Sequence, residues 1–361
     1  MSGRHPYPSL EAMLDPGELA GLLGRPVVTV SVEQVQDAET STEAEFQKVT
    51  LDGDDDPSLF IKRVDPSKDW VALGTNDLAR RAVTMWSLGV FDRMPGEVDP
   101  GVIACASWDE GYAVLMPDVS ARLAVPGAPM SIAQGDALLD AMAALHAAFW
   151  DDTRLADSAL GLCAPVLFLS HTSPQRAAVL RRQIRTFVFD AIEAGWDALP
   201  AFIDPGLARE LEVLNDDPTP IVAALATSPR TLVHSDIRPA NLGLGERHDG
   251  SPDVVLLDWG RPVFTAPTVD LGYYLGWTAV ERPTDVDAAI AVYEARLRAR
   301  LQTPLDADAW GASRDIGILG GVINTLCFHA LAARGDDAAA AIERAALAWW
   351  AARLRSSIGL L

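Results

Sequence analysis

Between Leu232 and Gly260 the chain reads LVHSDIRPANLGL, a polar turn, and VVLLDWG, a pattern compatible with few architectures. Short apolar runs at Thr231 to Val233, Leu242 to Leu244 and Val254 to Leu257 are separated by a polar loop and by turn chemistry such as His248-Asp249-Gly250, which reads as strand, loop, strand, turn, strand. Asp236 and Asn241 lie five apart on the loop, and Asp258 follows 17 residues later, where a hairpin folds it back beside them. A hard divalent cation such as Mg2+ takes few protein oxygens and completes its shell with phosphates and water. Asn241 and Asp258 therefore suit a nucleotide-bound metal. Asp236 is left to orient an attacking hydroxyl and accept its proton.

Around this core the pattern divides in two. Residues 9 to 24 read as an amphipathic helix ended by Gly24, and Pro26 opens an extended run from Val27 to Val35. Glu45 to Leu51 and Ser58 to Val64 alternate apolar and polar residues around a polar turn, Tyr112 to Met116 is a buried strand, and Asn76 to Leu88 a helix between them. From Ser131 on, apolar residues recur at helical spacing, as in Leu138, Met142, Leu145 and Phe149. A length of 361 residues accommodates two lobes. The boundary falls at Asp118, giving a lobe of residues 1 to 118 and a helical one of 119 to 361.

Composition narrows the function. With 29 basic and 50 acidic residues the formal charge is -21, which argues against a nucleic-acid partner. Cys105, Cys163 and Cys327 match no metal or disulfide spacing. The N-terminus lacks the apolar core of a signal peptide, and the longest apolar stretch, Ile316 to Ala333, is broken by Asn324 and His329. A soluble, cytoplasmic protein without a membrane partner is expected. Lysine occurs only at 48, 62 and 68, and Lys62 shares a strand face with Phe60 and Val64. A lysine there suits contact with a nucleotide's phosphates.

The HxDxxxxN loop and the downstream Asp258 resemble the catalytic loop and metal-binding Asp of the protein-kinase-like fold. More closely the chain resembles the aminoglycoside phosphotransferase and choline kinase-like family, also in AALHAAFW (Ala143 to Trp150) and in Pro267 to Leu271 with Asp270. The resemblance spans roughly Val27 to Leu275. It implies an α+β, bilobal protein-kinase-like fold with a small, mainly β N-lobe and a larger helical C-lobe. The implied enzyme is an Mg2+-dependent phosphotransferase that moves the γ-phosphoryl group of ATP or GTP to a hydroxyl of a small molecule such as an aminoglycoside, amino alcohol or sugar.

The resemblance also assigns roles. Asp236 and Arg238 are catalytic, the latter as a cation near the transferred phosphoryl group. Lys62 contacts phosphates, Asn241 and Asp258 hold the metal, and the linker Tyr112 to Ser120 offers main-chain groups of Met116 to Val119 to the base. His234 braces the loop; on their own pattern, His146 lies on an apolar helix stripe and reads as a core histidine, and Asp270 reads as structural, capping a helix or holding the catalytic loop. The segment QDAETSTE before Glu45 contains no glycine, so a phosphate cradle falls to Ser41 and Thr42. In the helix LARRAVTMW, Arg80 and Arg81 stand where similar sequences carry a glutamate for the strand lysine, with Asp77 as the candidate substitute. These two departures support an alternative, a non-catalytic nucleotide-binding, pseudokinase-like protein.

Overall fold

The structure is a computed structural model that describes residues 4–35, 44–52, 59–109 and 111–361. Residues 9 to 24 form two helices instead of one, α1 (Leu10–Met13) and α2 (Pro16–Leu23). Pro16 lacks the N–H that would continue α1, and the Asp15 carboxylate accepts the Gly17 and Glu18 N–H groups to start α2 afresh. Gly24 ends α2 at φ 65°.

Strands β1 (Val30–Gln34), β2 (Glu45–Leu51) and β3 (Leu59–Val64) are antiparallel neighbours. The expected helix over 76 to 88 is shorter and displaced, becoming α3 (Trp70–Thr75) and α4 (Arg81–Ser87). Asn76 closes α3 in the left-handed region at φ 55°, and the Asp77 side chain accepts the Arg81 N–H at 2.9 Å to open α4. After β4 (Val98–Asp99) come β5 (Ala104–Trp108), which the sequence reading missed, and β6 (Gly111–Pro117). The resulting sheet has the order β1-β2-β3-β6-β5, and its register sets Lys62 opposite Phe46 and Val114.

Beyond Pro117 helices dominate. In chain order they are α5 (Ile132–Ala148), α6 (Pro165–Leu169), α7 (Pro174–Leu180), α8 (Phe187–Ala198), α9 (Pro205–Asp216) and α10 (Thr219–Leu225). Four short strands follow, β7 (Thr231–Val233), β8 (Leu242–Glu246), β9 (Pro252–Leu256) and β10 (Val263–Thr265). The chain closes with α11 (Thr268–Trp277), α12 (Val286–Arg300), α13 (Ala307–Val322), α14 (Leu326–Ala332) and α15 (Ala338–Ile358). The fold is α+β, with a sheet-rich N-terminal part and a helical C-terminal part.

Two packing features place the site. β8 and β9 form a hairpin that pairs Leu242 with Leu256, while β4 joins β9 in parallel and ties the N-terminal part to it. Helices α11 and α13 touch backbone to backbone, because a Cβ on Gly272 would overlap the Ile318 carbonyl and one on Gly321 the Val269 carbonyl. That contact fixes the helix bearing Asp270 and Tyr273. Among the described residues no single helix is long and apolar enough to cross a membrane; α13 and α14 are bent by 54° to each other. All three cysteines are buried and unpaired, and burial pushes the Cys163 thiol up to about 11.

Candidate functional site

Strand β7 delivers the loop that starts at His234, and the loop turns sharply, with Ser235 at φ 68°. A non-glycine residue in that region costs about 1–3 kcal/mol, so the conformation needs support. Asp270, fully buried on α11, accepts the backbone N–H of His234 at 2.7 Å and of Ser235 at 2.6 Å. Its third contact is His146, whose Nε2 lies 3.2 Å from Asp270 and whose Nδ1 lies 2.7 Å from the Tyr293 hydroxyl. His146 is thus a satisfied core histidine. Replacing Asp270 with Ala strands two buried N–H donors, an expected loss of about 2–5 kcal/mol that the midpoint of urea unfolding measures.

His234 accepts the Asp236 N–H on Nδ1 at 3.2 Å and meets the edge of Trp259 at 4.4 Å between centroids. Burial pushes its pKa below the ordinary histidine value, which suits a neutral brace. Trp259 is itself anchored, donating to the Leu256 carbonyl at 2.9 Å and the Pro100 carbonyl at 3.0 Å.

Asp236 is 7% exposed, and its Oδ1 accepts three hydrogen bonds, from Arg261 at 2.6 Å, Tyr273 at 2.9 Å and Arg238 at 3.1 Å. Burial raises a carboxyl pKa, but the Arg261 and Arg238 guanidinium groups outweigh it and hold Asp236 well below the usual carboxylate range. The group is anionic throughout the working pH range. Because its folded pKa lies below the unfolded one, its contribution to stability is complete above about pH 4 and is lost as pH falls further. Arg261→Met removes the first of these cations, so the acid unfolding midpoint should shift upward and stability at neutral pH fall by about 3–5 kcal/mol. Acid and urea titrations check both.

Arg261 and Tyr273 were not read from the sequence. The available signals were the position of Arg261 directly after Asp258-Trp259-Gly260 and the spacing of Tyr273, three residues beyond Asp270 on one helix face.

The hairpin register brings the metal candidates together at its open end, where the Leu257 N–H donates to the Asn241 carbonyl at 2.9 Å. Asn241 commits its Nδ2 to the Asp236 carbonyl at 3.0 Å, leaving its amide oxygen as the free end. Asp258 sits at φ 67° and pairs with Lys62 at 2.8 Å. Partial burial raises its pKa and Lys62 lowers it, with a net downward shift that keeps it charged. Among the described residues no group of three or more His, Cys, Asp or Glu could hold a metal. Two oxygens, one amide and one anionic carboxylate, fit a cation that draws its other ligands from phosphates and water, as Mg2+ does.

The structure corrects the expectation for Asp77. Its carboxylate lies 3.9 Å from Arg81 and accepts the Arg81 backbone N–H, whereas the acid that meets Lys62 is Asp258. Arg81, 2% exposed, spends its guanidinium on the carbonyls of Thr75, Gly161 and Gly260 and on the Thr75 hydroxyl. It acts as a buried strut between α4 and the Asp258 turn. The other nearby acid is Asp69, whose Oδ1 caps α3 through Val71 and Ala72; burial raises its pKa and Lys62 pulls it down. Ser41 and Thr42 lie outside the described residues.

Lys62, Met116, Val119, Asp236, Arg238, Asn241 and Asp258 all line one cavity of about 890 Å³. That volume lies within the range of small-molecule sites. Its lining runs from β2, β3 and the Met116 to Val119 linker on one side to α8, α11 and α14 on the other.

The sequence profile of the phosphotransferase enzyme family matches residues 41–304. A sequence search of curated proteins finds no match. Among solved structures, a spectinomycin phosphotransferase in complex with ADP and spectinomycin is 14% identical, with 96% of this chain and 98% of that chain covered and a TM-score of 0.48. A choline kinase from Cryptosporidium parvum is 12% identical over 92% of this chain and 91% of that chain, at a TM-score of 0.48. An aminoglycoside phosphotransferase from Streptomyces rimosus is 18% identical over 81% and 93%, at 0.43.

Proposed function

The chain belongs to the phosphotransferase enzyme family and is a small-molecule kinase, and from that premise we propose that it transfers the γ-phosphoryl group of ATP or GTP to an acceptor hydroxyl with Mg2+. The observation that carries this reading is the anionic Asp236, held on one oxygen by three donors, in the same cavity as Lys62, Asn241 and Asp258. A carboxylate fixed in this way orients a hydroxyl and takes its proton as the O–P bond forms. Arg238 bonds to Asp236 and would supply the cation that stabilises charge on the transferring group. Main-chain groups of Met116 to Val119 hold the base. We also propose the division into lobes at residues 118 and 119.

Asn241 and Asp258 would hold Mg2+, which when bound neutralises charge on the phosphates. Lys62, now on Asp258, would shift to the phosphates. Lys62→Ala should weaken ATP binding by about 10- to 100-fold, the worth of a charge-assisted hydrogen bond. Titration calorimetry reads this, and unchanged affinity removes Lys62 from the site.

The second reading is a nucleotide-binding protein without activity, favoured by Arg81 and its strut in place of an acid for Lys62. Purified protein incubated with ATP or GTP and a panel of hydroxylated acceptors separates the two: phosphorylated product supports the kinase, and nucleotide binding without any transfer supports the rival.

A further inference from the structure

The cavity continues past Asp236 into a wall from α8, α11, α14 and the turn after α6, formed by His171, Thr172, Phe187, Val188, Trp277 and Phe328. Trp277 stacks on Phe328 with centroids 5.0 Å apart, and Tyr273 stands 6.1 Å from Trp277. His171 is 1% exposed and stacks on Trp70 at 4.2 Å. Burial holds its pKa well below the ordinary value, with Arg261 adding to the effect, so it presents a neutral ring. The Thr172 hydroxyl is already turned to Asn324 at 3.3 Å.

Charge is distributed unevenly in this cavity. The chain carries 50 acidic residues, yet among the described residues the only carboxylates that line the cavity are Asp236 and Asp258. Each is already paired, Asp236 with Arg238 and Arg261 and Asp258 with Lys62. Among the described residues, the acceptor wall itself carries no carboxylate. An ammonium group seated on that wall would gain the modest attraction of the ring faces, less than it loses by giving up its water with no unpaired carboxylate among the described lining residues and two guanidinium groups close by. An apolar face would instead gain by burial against indole and phenyl rings.

Resting on the phosphotransferase reading above, we infer that the acceptor is an uncharged, hydroxyl-bearing molecule with an extended apolar or aromatic face, and that polycationic aminosugars are not substrates. In the reaction the acceptor oxygen bonds to the γ-phosphorus and the bond to the bridging oxygen breaks. The nucleoside diphosphate leaves, and the hydroxyl proton passes to Asp236.

The test uses the full chain with ATP or GTP and Mg2+, offering uncharged aryl glycosides and hydroxylated sterols beside kanamycin and choline, with phosphorylated product detected by mass spectrometry. Saturable transfer to an uncharged acceptor is expected, with kcat/KM at least tenfold above either cation. Trp277→Ala and the mouth variant Phe187→Ala should each raise the acceptor KM about tenfold or more while leaving the Kd for nucleotide unchanged. Phe187 is 67% exposed, so its truncation spares the fold. Preferred phosphorylation of kanamycin or choline overturns the inference and leaves the phosphotransferase reading intact. Nucleotide binding with no acceptor phosphorylated overturns it together with the phosphotransferase reading, in favour of the non-catalytic rival, and failure to bind nucleotide sinks both as well.

Discussion

Asp236→Asn lowers turnover by at least about 100-fold, and by up to about 10,000-fold, because the amide cannot take the hydroxyl proton and positioning is lost with it. Nucleotide affinity stays close to that of the parent, since the proposed metal ligands are Asn241 and Asp258. The variant keeps an oxygen that can accept from Arg261, Tyr273 or Arg238, although it leaves two buried guanidinium groups without their counter-charge. A thermal melt and a nucleotide titration verify that the protein remains folded. Turnover within a few-fold of the parent would remove Asp236 from the chemistry.

The second large effect belongs to Asp258. Asp258→Ala removes the only carboxylate of the proposed metal pair and also frees Lys62 from its partner at 2.8 Å. One amide oxygen cannot hold a divalent cation against water. Transfer should therefore be abolished, and the Mg2+ dependence of nucleotide binding should vanish with it. Residual transfer that still responds to Mg2+ would show that the metal is held elsewhere.

Much of this site was legible in the sequence because it is local. Asp236, Asn241 and Asp258 lie on one loop and one hairpin, and the pairing of Leu242 with Leu256 follows from two short apolar runs and a turn. Long-range contacts were harder to read. Tyr273 meets Asp236 from α11, which is pressed onto α13 through glycines distant in sequence, and Arg261 meets it from the connection between β9 and β10, contacts that periodicity does not report. The replacement for the missing helix acid was misplaced for a related reason. Arg80 and Arg81 looked like helix-interior residues, but Asn76 ends α3 early, and Asp77 is used to start α4. Asp69, three residues upstream of Ala72, was passed over because an N-cap aspartate is common and carries no sequence mark of its proximity to Lys62. The acceptor wall was hidden for the same reason as Tyr273, since α8, α11 and α14 converge only in three dimensions.

The central claim is that this cavity takes a metal-bound nucleoside triphosphate between Lys62, Asn241 and Asp258. Titration calorimetry of the unmodified protein with ATP and with GTP, each with and without Mg2+, addresses it most directly. The account predicts saturable binding of at least one nucleotide, tightened when Mg2+ is present. Binding that is indifferent to Mg2+, or no binding of either nucleotide, would contradict it.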